Sequence, residues 1–152
     1  MLDGGIHFLA GLRLILGRGS NSLKTVTAQT SQLQEHLPPM DTVDALATTA
    51  SGAPGVINIS FGSEFRDFLL EFTCEKGVVT LIGDKLTVGG VVTDIPFEGV
   101  GVKEEVEAFG ASILDGGLDN KLRPEEALAD LEILEMLVTS GEDGGRKTLK
   151  LQ

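Results

Sequence analysis

Cysteine, tryptophan and tyrosine are scarce or missing in this chain of 152 residues. The single cysteine, Cys74, excludes an intrachain disulfide and a four-cysteine zinc site, and it fits a reducing, cytosolic location. Tryptophan and tyrosine do not occur, so any stacking on nucleic-acid bases would depend on seven phenylalanines. We interpret those phenylalanines as core residues.

Positive charge is also scarce. The chain has 12 Lys and Arg residues against 23 Asp and Glu residues, which gives a formal net charge of −11. Such a surface repels phosphate backbones and anionic lipids, so we expect no nucleic-acid partner and no membrane partner. A second interpretation of the acidic excess is a solubilising surface on helix faces.

The apolar run Ile6–Leu16 is too short to span a membrane and contains Arg13. It also lacks the basic start and cleavage site of a secretory signal.

The length allows one domain, and we expect residues 1–152 to form it. The 20 glycines are spread along the chain, as is typical of short strands joined by turns. Alternation of apolar and polar residues predicts strands at 23–33, 42–50, 56–61, 67–74, 78–82, 85–88 and 91–95. Residues 67–82 are typical of a hairpin, and two consecutive prolines place 34–41 in a loop.

Spacings of three and four predict a helix at 6–16, which ends at Gly17. A second helix begins near Val102 and ends before Gly116, and a third begins at Pro124. The predicted apolar faces are Val102, Val106, Phe109 and Ile113 on the second helix, and Ala127, Leu131, Leu134 and Val138, expected to be buried, on the third. The tail 146–152 is predicted to add a short strand. The order predicts an α+β fold, with a mostly antiparallel sheet and helices packed on one face.

Most catalytic signatures are missing from the sequence: the dinucleotide-binding GxGxxG, the phosphate loop, HExxH, CxxC and the nucleophile elbow. One constellation remains, Asp3-Gly4-Gly5-Ile6-His7. A histidine can act as general acid or base, a nearby carboxylate can orient it, and Gly4 and Gly5 leave room for a ligand. The alternative is that Asp3 caps the helix and His7 is a surface imidazole.

Other polar candidates carry weaker signals. His36, in the loop before the two prolines, either faces a ligand or partner or is simply exposed to solvent. Cys74 is expected to be a small buried or half-buried strand residue, and Lys76 a turn lysine. The spacing of the two histidines indicates no metal site.

The stretch LDGGIHFLAGLRLILG resembles the segment that opens the C-terminal domain of the Gfo/Idh/MocA oxidoreductases. Asp3 and His7 match the Asp and His of that family's second catalytic motif. The segments TSQLQEHLPPMDTVDAL, SGAPGVINISFGSEF, FTCEKGVVTL and PEEALADLEILEMLVTSGEDGG resemble a fungal-type subgroup, so the likeness covers essentially the whole chain.

The resemblance implies a large, mostly antiparallel sheet flanked by helices, which forms the substrate side of an active site. It implies hydride transfer between NAD or NADP and a sugar, polyol or related hydroxyl compound. By this resemblance His7 handles the proton of the reacting group, and Asp3 orients the substrate or His7. Gly4, Gly5 and His36 are the expected substrate-binding residues, and the open sheet face is expected to pack against another subunit.

The family's Rossmann domain, with its glycine-rich turn and its Glu-Lys-Pro motif, has no counterpart in this sequence. We therefore expect a fragment or truncated form of an oxidoreductase that holds no cofactor and is inactive by itself. An alternative is a free-standing, non-catalytic module that pairs with itself or with a full-length relative through its sheet face. A third possibility is binding of a small molecule near His7 and His36 without catalysis.

Overall fold

The computed structural model describes residues 2–64, 68–96, 99 and 101–152. Within these ranges the helices are α1 (Leu2–Leu16), α2 (Val102–Asp115) and α3 (Pro124–Asp143). The strands are β1 (Leu23–Ser31), β2 (Thr42–Thr49), β3 (Pro54–Ser60), β4 (Leu69–Cys74), β5 (Gly77–Ile82), β6 (Lys85–Val88), β7 (Val91–Asp94) and β8 (Lys147–Thr148). None of the helices in the described ranges is long and apolar enough to cross a membrane.

The chain divides into two compact units. The first unit comprises residues 1–63 and 120–152, and the second comprises residues 64–119. Each unit has its own four-stranded antiparallel sheet. The α+β class and the antiparallel pairing predicted from the sequence are confirmed, with the strands divided between two sheets. The single domain over 1–152 stays a prediction.

The sheet of the first unit has the strand order β3-β2-β1-β8. Alternate residues of its strands point to one face and are buried there. Helix α3 packs on this face against β1, and α1 packs against α3. The resulting core contains Leu9 of α1, Val26 and Ala28 of β1, Val43, Ala45 and Ala47 of β2, Ile57 and Ile59 of β3, and Ile133, Leu134 and Leu137 of α3.

The second unit is a meander in which β4, β5, β6 and β7 pair in sequence order. Cys74 pairs with Gly77, which confirms the predicted hairpin. Gly83 and Gly89 close the following two turns with φ of +56° each, a conformation that favours glycine. Helix α2 has no buried residue among those described, and its predicted apolar face is more than half exposed.

Two helix predictions need correction. Helix α1 begins at Leu2, four residues before the predicted start, so Asp3 lies inside the first turn and does not precede the helix. The predicted buried face of α3 is confirmed at Leu134 but wrong at its other three residues, because Ala127 and Leu131 are exposed and Val138 is only half-buried. The buried residues of α3 are Ala129, Ile133, Leu134, Leu137 and Ser140.

Arg13, which interrupts the apolar run of α1, joins that helix to α3 and to the end of the chain. Its Nη1 donates to Oδ1 of Asp130 at 2.5 Å, its Nη2 to Oε2 of Glu126 at 3.0 Å, and its Nε to Oε1 of Gln152 at 2.7 Å. Burial acts to raise the pKa of Glu126, but the hydrogen bonds from Arg13 and Arg18 lower it below its usual value. The guanidinium therefore stabilises a carboxylate pair that would otherwise be poorly solvated.

Ser140 performs a similar task inside the core. Its Oγ accepts a hydrogen bond from the backbone N–H of Ala28 at 2.8 Å and donates one to the carbonyl of Gly145 at 2.6 Å. β8 pairs with β1 only at Thr25 and Val26, so this buried hydroxyl supplies the acceptor that the short strand does not.

Candidate functional site

The predicted catalytic pair lies at the start of α1. Asp3 and His7 are four residues apart in the helix, so their side chains project from the same side, with Cβ atoms about 5–6 Å apart. Both residues are exposed. The structure thus brings together the carboxylate and the imidazole that the sequence singled out.

The two glycines between them have different surroundings. Gly5 is buried, and Gly4 lies directly beneath the ring of Phe61. A Cβ atom added at Gly4 would lie 2.5 Å from Cζ of that ring. The missing side chain of Gly4 therefore lets Phe61 approach the helix, while the predicted contact of Gly4 and Gly5 with substrate stays a prediction.

Phe61 follows β3 and is held by its backbone. Its N–H donates to the carbonyl of Asp41 at 2.8 Å. Its ring lies 6.4 Å from the ring of Phe8, centroid to centroid, with an interplanar angle of 34°. Both rings are 40% exposed, so the pair presents an aromatic surface next to the N-terminal turn of α1.

Asp41 is a buried carboxylate that fixes the loop of residues 32–41. It is 1% exposed and accepts hydrogen bonds from the N–H groups of Leu33 at 3.0 Å and Gln34 at 2.7 Å, and from the hydroxyl of Thr42 at 2.9 Å. Burial acts to raise the pKa of Asp41, but these three hydrogen bonds lower it below its ordinary value. The carboxylate is therefore ionised at neutral pH.

The same loop is attached to the segment that carries Phe61. Nε2 of Gln34 donates to the carbonyl of Gly62 at 2.9 Å. A Cβ added at Gly62 would lie 2.5 Å from the carboxylate of Asp41, so only glycine permits this approach. His36 is exposed in a turn of this loop. The loop of His36 and the helix of His7 thus both contact the Phe61–Gly62 segment.

Sequence reasoning missed the residues that hold this arrangement together, namely Gln34, Asp41, Phe61 and Gly62. Each of their contacts joins residues far apart in the sequence, and no local spacing indicates such contacts. The one sequence signal for any of these four residues was the position of Asp41 directly before the apolar strand β2. Cys74 is exposed, which corrects the prediction of a buried or half-buried strand residue, and Lys76 lies in the predicted turn.

The described residues do not fit a dinucleotide cofactor. Dinucleotide sites use parallel strands joined by helices, with a glycine-rich turn at the start of a helix. Every strand pair in the described ranges is antiparallel, and of the two glycines at the start of α1, Gly4 is covered by Phe61 and Gly5 is buried. No three His, Cys, Asp or Glu residues in these ranges gather closely enough to hold a metal ion.

Comparison with known proteins assigns the chain to a family. A family model described as the GFO/IDH/MocA C-terminal domain matches residues 1–80, just over half of the chain. The chain belongs to this family. The matched GFO/IDH/MocA region contains α1, the loop with His36 and the Phe61 turn, and the resemblance seen in the sequence is confirmed.

Individual proteins are similar to this chain in sequence or in fold. Dehydrogenase FPY6 of Fusarium mangiferae is 36% identical over 164 residues, which cover 100% of this chain and 46% of that protein. An oxidoreductase from Thermotoga maritima has a TM-score of 0.84 and 27% identity over 97% of this chain and 43% of its own. Levoglucosan dehydrogenase, solved with NADH and levoglucosan, has a TM-score of 0.78 and 18% identity over 97% of this chain and 49% of its own. The chain therefore spans about half the length of these relatives.

Proposed function

We propose that this chain is the substrate-side domain of an NAD(P)-dependent oxidoreductase that acts on a sugar, polyol or related hydroxyl compound. The observation that carries this proposal is the exposed Asp3–His7 pair on one side of α1, within the region that the GFO/IDH/MocA model matches. Levoglucosan dehydrogenase, which shares the fold, was solved with NADH and a sugar derivative and supports this class of reaction.

In this proposal His7 holds or releases the proton of the reacting hydroxyl or carbonyl. An imidazole nitrogen can accept a proton from a hydroxyl within hydrogen-bond distance and return it in the reverse direction. Asp3 accepts a hydrogen bond from a second substrate hydroxyl or from His7, which fixes the orientation of the reacting group. His36 contributes from the loop that faces the same segment.

NAD or NADP would be held by a separate Rossmann-type domain, since the residues described do not form such a site. We accordingly expect the 152 residues by themselves to show no cofactor-dependent turnover and no NAD binding. Isothermal titration with NAD⁺ and with NADP⁺ tests this directly, and turnover by the isolated chain contradicts it.

The proposed activity is tested by joining this chain to a cofactor-binding domain. In a chimera, this chain replaces the corresponding part of levoglucosan dehydrogenase, which was solved with NADH, and formation of NADH is followed at 340 nm with a panel of sugars and polyols. Asp3→Asn and His7→Asn each should lower kcat by about 10²-fold or more while the chimera stays folded. His36→Asn is the milder comparison, with an effect on KM. A folded chimera that is inactive with every compound, or unaffected by His7→Asn, would disprove the catalytic role.

A second candidate function is pairing through the open face of the first sheet, with a second copy or a full-length relative. Leu46 and Val56 are cross-strand neighbours on that face and are 66% and 76% exposed. Two such side chains side by side favour burial against another surface. Light scattering should give a dimer that becomes monomeric in Val56→Lys but not in Leu151→Lys, which alters an exposed leucine elsewhere. A monomeric parent chain would count against pairing.

A further inference from the structure

The N-terminal half of α1 presents four neighbouring positions around the helix. With 100° per residue, His7 lies about 60° from Gly4 on one side, and Phe8 lies about 40° from Gly4 on the other. Asp3 lies next to His7 on the same arc. The order around the helix is therefore Asp3, His7, Gly4 and Phe8.

The ring of Phe61 covers Gly4, the third position of this arc. The ring thus contacts the helix at a position that lies, around the helix axis, between those of His7 and Phe8. The 6.4 Å separation of the Phe8 and Phe61 rings agrees with this placement. An aromatic ring thus lies over Gly4, three residues before His7, which is the residue proposed to handle the substrate proton.

The ring is half-exposed, although leaving apolar surface in water is unfavourable. The backbone that carries the ring is held in place, because the Phe61 N–H donates to the carbonyl of Asp41 and the carbonyl of Gly62 accepts from Gln34. The N–H of Ser63 donates to the hydroxyl of Ser60 at 3.2 Å and closes the same turn. Small-molecule sites are lined mainly by apolar and aromatic side chains with a few polar groups, and Phe61, Phe8, Asp3 and His7 supply both kinds.

We propose that Phe61, supported by Phe8, is the stacking wall of the substrate site and selects cyclic sugars or cyclic polyols over open-chain polyols. A pyranose or cyclohexane ring presents a face of C–H groups, which covers an aromatic ring while its rim hydroxyls remain free to reach His7 and Asp3. An open-chain polyol offers no such flat face and loses more rotational freedom on binding. The proposal rests on the proposed function, since it takes Asp3 and His7 as the reacting end of the site.

The binding test uses the absence of tryptophan and tyrosine from this chain. Phe61→Trp and, separately, Phe8→Trp each introduce a sole tryptophan at the wall. Its fluorescence is titrated with methyl β-D-glucopyranoside and myo-inositol as cyclic probes and with D-mannitol as the open-chain probe. Leu151→Trp places the same fluorophore at an exposed site outside the wall and is the matched control.

We expect both wall variants to respond saturably to at least one cyclic probe, with about tenfold weaker binding of mannitol, a ratio of the order that shape complementarity provides. The Leu151→Trp control should not respond. Tryptophan is larger than phenylalanine, and the ring of residue 61 lies close to Gly4, so Phe61→Trp can prevent folding. Phe8→Trp then supplies the binding measurement. The proposal is overturned if a folded wall variant shows no fluorescence response to any of the three probes. It is also overturned if such a variant binds mannitol with the same affinity as the cyclic probes.

Kinetics of the chimera separate the wall from the catalytic pair. Phe61→Ala should raise KM for a cyclic substrate by about tenfold with little change in kcat, and Phe61→Leu should give a smaller increase. His7→Asn should instead lower kcat. If the chimera turns over sugars but Phe61→Ala leaves KM unchanged, the proposal that Phe61 stacks on the substrate is wrong and the proposed function stands. If the chimera turns over no sugar and the wall variants bind no probe, both proposals fail.

Discussion

Nη1 of Arg13 lies 2.5 Å from Oδ1 of Asp130, which joins α1 to α3 across 117 residues of sequence. The same nitrogen donates to the backbone carbonyl of Glu126 at 3.1 Å. Arg13 and Asp130 have side chains only 13% and 14% exposed. The position of the helix that carries Asp3 and His7 is therefore fixed by this guanidinium together with the packing of Leu9 in the core.

Arg13→Ala should reduce the free energy of unfolding by about 2–4 kcal/mol, because it leaves two poorly solvated carboxylates without their partner. Arg18→Ala is the control, since Arg18 also pairs with Glu126 but its side chain is 77% exposed. Its cost should be below about 1 kcal/mol. Urea unfolding followed by circular dichroism measures both values. Equal costs for the two arginines would contradict the importance of burial at Arg13.

Asp41 makes the stability of the first unit sensitive to low pH. Its pKa is lowered on folding, so its contribution is fully present above the pKa of the unfolded chain and is lost as pH falls through the folded value. Thermal unfolding should therefore show a loss of stability as pH falls below about 4, the usual carboxyl range. Asp41→Asn should lower Tm by several degrees at pH 7 and remove part of the decline in acid, since the pKa of Glu126 is also lowered and contributes to that decline.

Asp44→Asn is the comparison for this experiment. Asp44 lies three residues further along the chain, in β2, but it is exposed and pairs with the side chain of Asn58. Its replacement should leave the acid dependence close to that of the parent chain. An acid profile altered equally by both substitutions would show that general charge, and not the buried loop anchor, governs the effect.

Gly141 and Gly11 should respond to alanine in opposite directions. A Cβ at Gly141 would lie 2.5 Å from Cγ2 and Oγ1 of Thr30, whereas nothing lies within 4 Å of a Cβ at Gly11. Gly141→Ala should therefore cost about 1–3 kcal/mol by pushing α3 from β1, and Gly11→Ala should gain about 0.5–1 kcal/mol from helix propensity. Adding Thr30→Ala to Gly141→Ala should recover part of the loss. Stabilisation by Gly141→Ala would contradict the close packing.

Ser140→Ala should cost about 1–3 kcal/mol, because it leaves the buried N–H of Ala28 without an acceptor. Thr139→Ala is the neighbouring control, since Thr139 bonds only to the carbonyl of Glu135 in its own helix. Hydrogen exchange at Ala28 gives a local readout that overall unfolding does not. Unchanged protection of that amide in Ser140→Ala would show that another group accepts its hydrogen bond.

The strands and turns followed closely from the sequence because local signals determine them. Glycines at the β5–β6 and β6–β7 turns adopt positive φ, and alternation of apolar residues predicts which strand face is buried. The hairpin of β4 and β5 appears at the predicted turn. These features involve neighbours in the chain, so single-sequence reasoning reaches them.

The buried face of α3 did not follow, because α3 has apolar residues on more than one side. Leu128 and Leu131 are exposed, while Ala129 and Ser140 are buried. Ser140 is buried because its hydroxyl accepts a hydrogen bond from Ala28 of β1, and a hydropathy pattern does not predict such a contact. In the candidate site, the spacing of Asp3 and His7 was visible, but the contact between Gly4 and Phe61 exists only in the folded chain.

The anchoring of Asp41 also concerns how proteins with this fold diversify. Its carboxylate holds the N–H groups of Leu33 and Gln34, and its own N–H donates to the carbonyl of Ser31. Residues 35–40 are therefore enclosed by a fixed frame, and most are exposed to solvent. Under the proposed function, in which His36 contacts substrate, substitutions there would change which molecule is recognised without moving either flanking strand, so selectivity would evolve on an unaltered scaffold.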